Sequence, residues 1–146
     1  MSQATATLRS LCVQHLQELK DGTEHLVMAA VSSSDGFPIA LLDAEPQLGR
    51  KATAMAAALD GLSKSIAREF ALGGIEGTVL ECEFGLVLCR QVHTPKRNLV
   101  LIIIMSKDVT YGHALWAIKN AARALATSLQ ASIEVGAVPT FTNVKE

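Results

Sequence analysis

The sequence predicts a single α+β domain built on five mostly antiparallel strands, and three observations carry that expectation. Apolar spacing switches between helical and extended along the 146 residues, in the order helix, hairpin, long helix, hairpin plus one strand, helix. Asp35-Gly36 lies between two short apolar runs, where glycine accepts the positive φ that a tight hairpin demands. Leu99 to Met105 runs without alternation, and a continuously aliphatic strand is covered on both faces, so it belongs at the sheet centre. The length is that of one core.

From about Thr5 to Lys20, residues Leu8, Leu11, Cys12, His15, Leu16 and Leu19 recur on one helical stripe, and Gly22 supplies the stop. Leu26 to Val31 and Phe37 to Leu42 flank the Asp-Gly turn. Pro38 has no amide hydrogen to donate, which places the second of these strands at an edge. After Glu45-Pro46 the period changes: Leu48, Ala52, Met55, Leu59, Leu62, Ile66 and Phe70 line one face of a long helix that Gly73-Gly74 would end. A second stripe reads Ala54, Ala57, Ala58, Gly61, Ser65, small enough to let another backbone approach closely. A helix with a large-residue face and a small-residue face is expected to be sandwiched.

Ile75 to Glu83 and Phe84 to Val92 form a second hairpin, turning near Phe84-Gly85, with Glu81 and Glu83 on one face. The loop His93 to Asn98 leads into the aliphatic strand. Asp108 is the expected cap of the last helix, whose buried stripe reads Val109, Leu115, Ile118, Ala122, Leu125, Leu129. The tail from Val138, with Pro139, reads as an exposed extension.

Composition narrows the function classes. The chain is 49% hydrophobic and only 18% charged, an excess of aliphatics that is used up when both sheet faces, or a second subunit, cover it. A net charge of −1 disfavours nucleic-acid binding, and 4% aromatics disfavours a stacking platform for bases or sugars. No apolar run approaches the roughly 20 residues of a membrane span. The N-terminus lacks the pattern of an export signal, so the expected location is the reducing cytoplasm, with three free thiols.

Candidate chemistry is sparse. Gly73-Gly74-Ile75-Glu76-Gly77 opens a strand and not a helix, so it is no phosphate loop. Cys82, Cys89 and His93 invite a zinc reading, but a turn at Phe84-Gly85 sets Cys82 opposite Val87 and Cys89 opposite Leu80, too far apart for a metal or disulfide. Both, with Cys12, are expected to be buried thiols. None of His15, His25, His93 and His113 stands near a nucleophile-elbow serine or cysteine. No catalytic residue, metal or cofactor is expected.

Val31-Ser32-Ser33-Ser34-Asp35-Gly36-Phe37-Pro38-Ile39-Ala40 resembles the strand, S-x-D-G, strand opening of the Roadblock/LC7 family, and a long Ala-rich helix follows at the expected distance. Thr78 to Arg90, then a strand and a capped helix, looks like the second half of that domain. The resemblance spans Leu8 to Gln130, implying a domain at 5–130 and a C-terminal extension at 131–146. It lies closest to the prokaryotic branch that regulates Ras-like GTPases. It implies a profilin-like sheet of order 2-1-5-4-3, with one long helix on one face and two helices on the other. It also implies homodimerisation through the long helix and third strand, with Ala54, Ala57, Ala58, Gly61 and Ser65 as the helix contact and Val79 and Glu81 on the pairing strand. Family members that stimulate a GTPase arrange its own catalytic groups without an arginine finger, so no catalytic residue transfers. Arg50, Lys51, Lys64 and Arg68, outside the large-residue stripe, are the expected partner contacts. The leading expectation is therefore a non-enzymatic homodimeric regulator of a small Ras-like GTPase. A structural adaptor of the dynein light-chain kind and, further off, a small-ligand sensor are the alternatives.

Overall fold

The seven aliphatic residues Leu99 to Met105 lie in the middle of the sheet, and six of them are buried. The structure is a computed structural model that describes the backbone of residues 3–145 and the side chains of residues 7–132. Its elements run α1 (Gln3–Gly22), β1 (Leu26–Ser33), β2 (Pro38–Leu42), α2 (Pro46–Glu69), β3 (Gly77–Cys82), β4 (Gly85–His93), β5 (Asn98–Ser106) and α3 (Tyr111–Lys145). The strands form one antiparallel sheet of order β2-β1-β5-β4-β3. Pro38 opens edge strand β2 opposite Ser32, where the register shifts between Val31 and Ser32.

Strand alternation sorts the sheet's side chains into two cores. Ala29, Val31, Leu88, Leu99, Leu101, Ile103 and Met105 meet Cys12, Leu16 and Leu19 of α1 and Ala114, Ile118, Ala122, Leu125 and Leu129 of α3. On the other face Met28, Ala30, Cys89, Val100 and Ile102 form a smaller apolar cluster, to which α2 contributes Ala56, with Ala52 at the margin. The first core is large and aliphatic; the second is thin.

Four local expectations change. Thr110, not Asp108, caps α3, its hydroxyl accepting from the His113 amide at 3.2 Å. Helix α2 ends at Glu69, before Gly73-Gly74; Ala71 takes φ +54 and the Leu72 amide returns to the Ala67 carbonyl at 2.8 Å. The β3–β4 turn falls one residue earlier than expected, at Glu83-Phe84, so that Cys82 pairs with Gly85, Leu80 with Val87 and Thr78 with Cys89. The resulting two-residue slip in pairing preserves every face, because strand periodicity is two. Finally, Cys82 is exposed at the end of an edge strand, whereas Cys12 and Cys89 are buried. The extension expected at 131–146, exposed from Val138, lies outside the described side chains beyond Ser132.

Candidate functional site

Helix α2 is started by Pro46 at its first turn and by Glu45, whose carboxylate accepts from the Gln47 amide at 3.0 Å. Its side chains separate into stripes at about 100° per residue. The stripe against the sheet is Gly49, Thr53, Ala56, Asp60 and Ala67, neither of the two stripes conspicuous in the sequence. Small side chains there bring the helix close: a Cβ on Gly49 would stand 2.5 Å from Leu41 Cδ1.

The large-residue stripe is therefore turned sideways and left open. Leu48, Met55, Leu62, Ile66 and Phe70 are 58–71% exposed, and only Ala52 and Leu59 are half-buried. The expectation of a helix covered on both faces holds for neither conspicuous stripe within one chain. Sequence reasoning recognised both conspicuous stripes but not the one that packs on the sheet. The missed signal was the third stripe, whose Gly, Thr, Ala and Asp suit close packing on a sheet yet carry little hydropathy.

The small stripe divides. Ala54 and Ala57 receive the β1–β2 turn of the same chain, since a Cβ on Gly36 (φ +95) would lie 3.0 Å from Ala57 Cβ and 3.2 Å from Ala54 Cα. Ala54, Ala58, Gly61 and Ser65 are exposed, and nothing lies within 4 Å of a Cβ built on Gly61. On edge strand β3, Val79 is half-buried toward the α1–α3 core and Glu81 is exposed. Leu80, 43% exposed, shares its sheet face with Val87, its cross-strand partner, on the α2 side.

The four basic residues are all exposed but do not share one surroundings. Arg50, Lys64 and Arg68 fall on one flank of α2, while Lys51 turns about 100° away. Lys64 is held 2.8 Å from Asp60, a largely buried carboxylate that also accepts from the Gln91 side chain of β4 at 2.6 Å. This triad pins α2 across the sheet. Lys64 and Arg68 also border an open cavity of about 430 Å³ against Gly73, Gly74 and Ile75.

Other titratable groups are dispersed. Burial pushes the Cys12 thiol up to about 11 and raises that of Cys89 as well. His15 bonds Ser128 across α1 and α3 at 2.7 Å, and His93 bonds Asn98 at 3.1 Å. Among the described residues no three His, Cys, Asp or Glu side chains come together to hold a metal, and no helix is long and apolar enough to cross a membrane.

A five-stranded sheet carrying two helices on one face, and on the other a single helix with an open apolar flank, defines a domain that works by presenting a surface. The profile of the Roadblock/LC7 domain matches residues 12–104, and the chain belongs to that family. Solved structures share the fold. A Roadblock/LC7 domain from Streptomyces avermitilis is 17% identical over 84% of this chain and 97% of its own, with a TM-score of 0.71. The gliding protein mglB of Thermus thermophilus is 17% identical over 82% and 89%, at 0.72. Myxococcus xanthus MglB is 11% identical over 90% and 93%, at 0.69. No curated protein matches the chain.

Proposed function

We propose that the protein is a non-enzymatic, cytoplasmic homodimer that regulates a small Ras-like GTPase, using α2 and its symmetry mate as the platform. The observation that carries this reading is the open stripe Leu48, Met55, Leu62, Ile66, Phe70 on a helix whose sheet contact is thin. An isolated protein seldom exposes so many large apolar side chains in a row, and a second copy covers the stripe isologously. Ala58, Gly61 and Ser65 flank the contact and allow close approach. Pairing of β3 with its mate through the Val79 to Glu81 backbone removes an exposed edge. Family membership supplies the partner class.

The GTPase contacts proposed are Arg50, Lys51, Lys64 and Arg68, a basic rim that speeds and orients encounter with an acidic surface. Preference for one nucleotide state is required of any regulator, because a partner shifts an equilibrium only through its differential affinity for the two forms. The test has two arms. Sedimentation at micromolar concentration should show a dimer, and a monomer there overturns the dimer. Titration with a Ras-like GTPase from the same genome, loaded with GDP and then with a GTP analogue, should show a difference. A dimer that binds neither form, but co-purifies with a filament or motor subunit, fits the adaptor reading instead.

A further inference from the structure

We propose a second docking face, on the outward side of α3, that takes an acidic protein segment anchored on Trp116. The chain has one tryptophan, and it stands 61% exposed with the His113 ring stacked on it at 6.0 Å between centroids. At about 100° per residue, His113, Trp116, Lys119, Asn120 and Arg123 share the side of α3 opposite its buried stripe of Ala114, Ile118, Leu125 and Leu129. The bond from Asn120 Nδ2 to the Trp116 carbonyl, and the Arg123 guanidinium 3.4 Å from Asn120 Oδ1, hold the polar members in place. Because α1 and α3 cover the opposite sheet face from α2, this surface remains open when α2 is occupied.

Charge identifies the occupant. Between Val109 and Ile133 there is no Asp or Glu, and neither Lys119 nor Arg123 forms an ion pair among the described residues. The carboxylates of α1, the neighbouring helix, are engaged locally: Glu18 with His15 and Gln14, and Asp21 with Gln17. An aromatic anchor beside two uncompensated cations has the composition of a protein-binding hot spot whose partner supplies carboxylates. A lipid surface fits less well. One tryptophan and two basic residues give neither the apolar face that sinks into a bilayer nor the four to eight cations typical of anionic-lipid recognition.

The single tryptophan makes its own probe. Emission of the full chain would be titrated with a peptide of repeated Glu-Glu-Leu-Leu blocks, with its Gln-for-Glu analogue, and with phosphatidylglycerol vesicles. Expected is a saturable change with the Glu peptide alone. That binding should weaken about tenfold in Lys119→Glu/Arg123→Glu. It should be unaffected by reversal of Lys96 and Arg97, which lie in an exposed loop elsewhere. In Trp116→Ala, anisotropy of the labelled peptide should show binding lost while sedimentation and thermal melting stay as in the wild type. No response to the Glu peptide, an equal response to the Gln peptide, a response to vesicles only, or undiminished binding by Trp116→Ala overturns the proposal. A dimer that fails these titrations leaves the α2 reading standing, and a monomer that passes them leaves this one standing.

Discussion

Asp60 is the least expected residue of the core, a carboxylate on the sheet-facing side of α2 where every neighbour in its stripe is small or apolar. Gln91 and Lys64 satisfy it from two elements. Replacing it with Ala would leave the Gln91 amide without its partner and free the ammonium of Lys64, at a cost of about 2–4 kcal/mol read as a shift in the urea midpoint. Asp60→Asn, which keeps one acceptor, should cost less. The same contact complicates a charge reversal at Lys64, because Lys64→Glu sets two carboxylates together. Arg50→Glu/Arg68→Glu is the cleaner variant for testing the proposed GTPase contact. That pair should weaken binding more at low salt than at high salt, without altering sedimentation. Cys12 gives the pH prediction. Its thiol ionises near 9.0 when unfolded and near 11 when folded, so the folded state holds the proton longer. Stability is intact below pH 9 and falls as pH rises toward 11, by about 3 kcal/mol at the limit. Urea midpoints at pH 8 and pH 10.5 should separate, and by less in Cys12→Ala than in the wild type.

At the scale of the element, α2 shows where reading a sequence succeeds and where it fails. Its start at Glu45-Pro46 and the row from Leu48 to Phe70 were legible, because helical periodicity needs only residue types and spacing, whereas its stop, set before Gly73-Gly74, was not. The orientation of that row was not legible: a stripe of leucines facing a sheet and one facing a second subunit look alike in the sequence. Gly49, Thr53, Ala56, Asp60 and Ala67 decide the matter only once the sheet beneath them is known. The turn at Asp35-Gly36 was readable for the opposite reason, since one glycine at φ +95 fixes local geometry alone. Gly36→Ala meets both a disfavoured backbone conformation and the Ala57 methyl at 3.0 Å, so a loss of about 1–3 kcal/mol is expected in thermal or urea unfolding. On the open row, Leu62→Glu and Ile66→Glu should convert the proposed dimer to monomer in sedimentation at micromolar concentration, with far-UV circular dichroism unchanged. Preserved dimers would move the interface to the small stripe.

For the whole molecule, the sheet joins its two halves in the middle and leaves its ends to different devices. Edge strand β2 is short and begins at Pro38, whereas β3 carries Thr78, Val79 and Leu80 with no proline, lysine or bulge to discourage pairing. If β3 pairs with its mate, hydrogen exchange of its outward amides should slow with rising protein concentration while that of β2 does not. The central seam is the contact between β1 and β5, in which Val31 lies opposite Leu101 and Ala29 opposite Ile103, strands separated by the whole of α2 and the second hairpin. Synthesis runs from the N-terminus, so α1, β1, β2 and α2 emerge with one long side of β1 bare. At roughly 5–20 residues per second, the separation of 70 positions from Val31 to Leu101 keeps it so for several seconds. During that interval Ala29, Ala30 and Val31, fully buried in the finished fold, form an unfinished edge. A nascent chain stalled before β5 should therefore recruit chaperones and be cut readily by protease, and one carrying the whole of β5 and α3 clear of the ribosome should do neither.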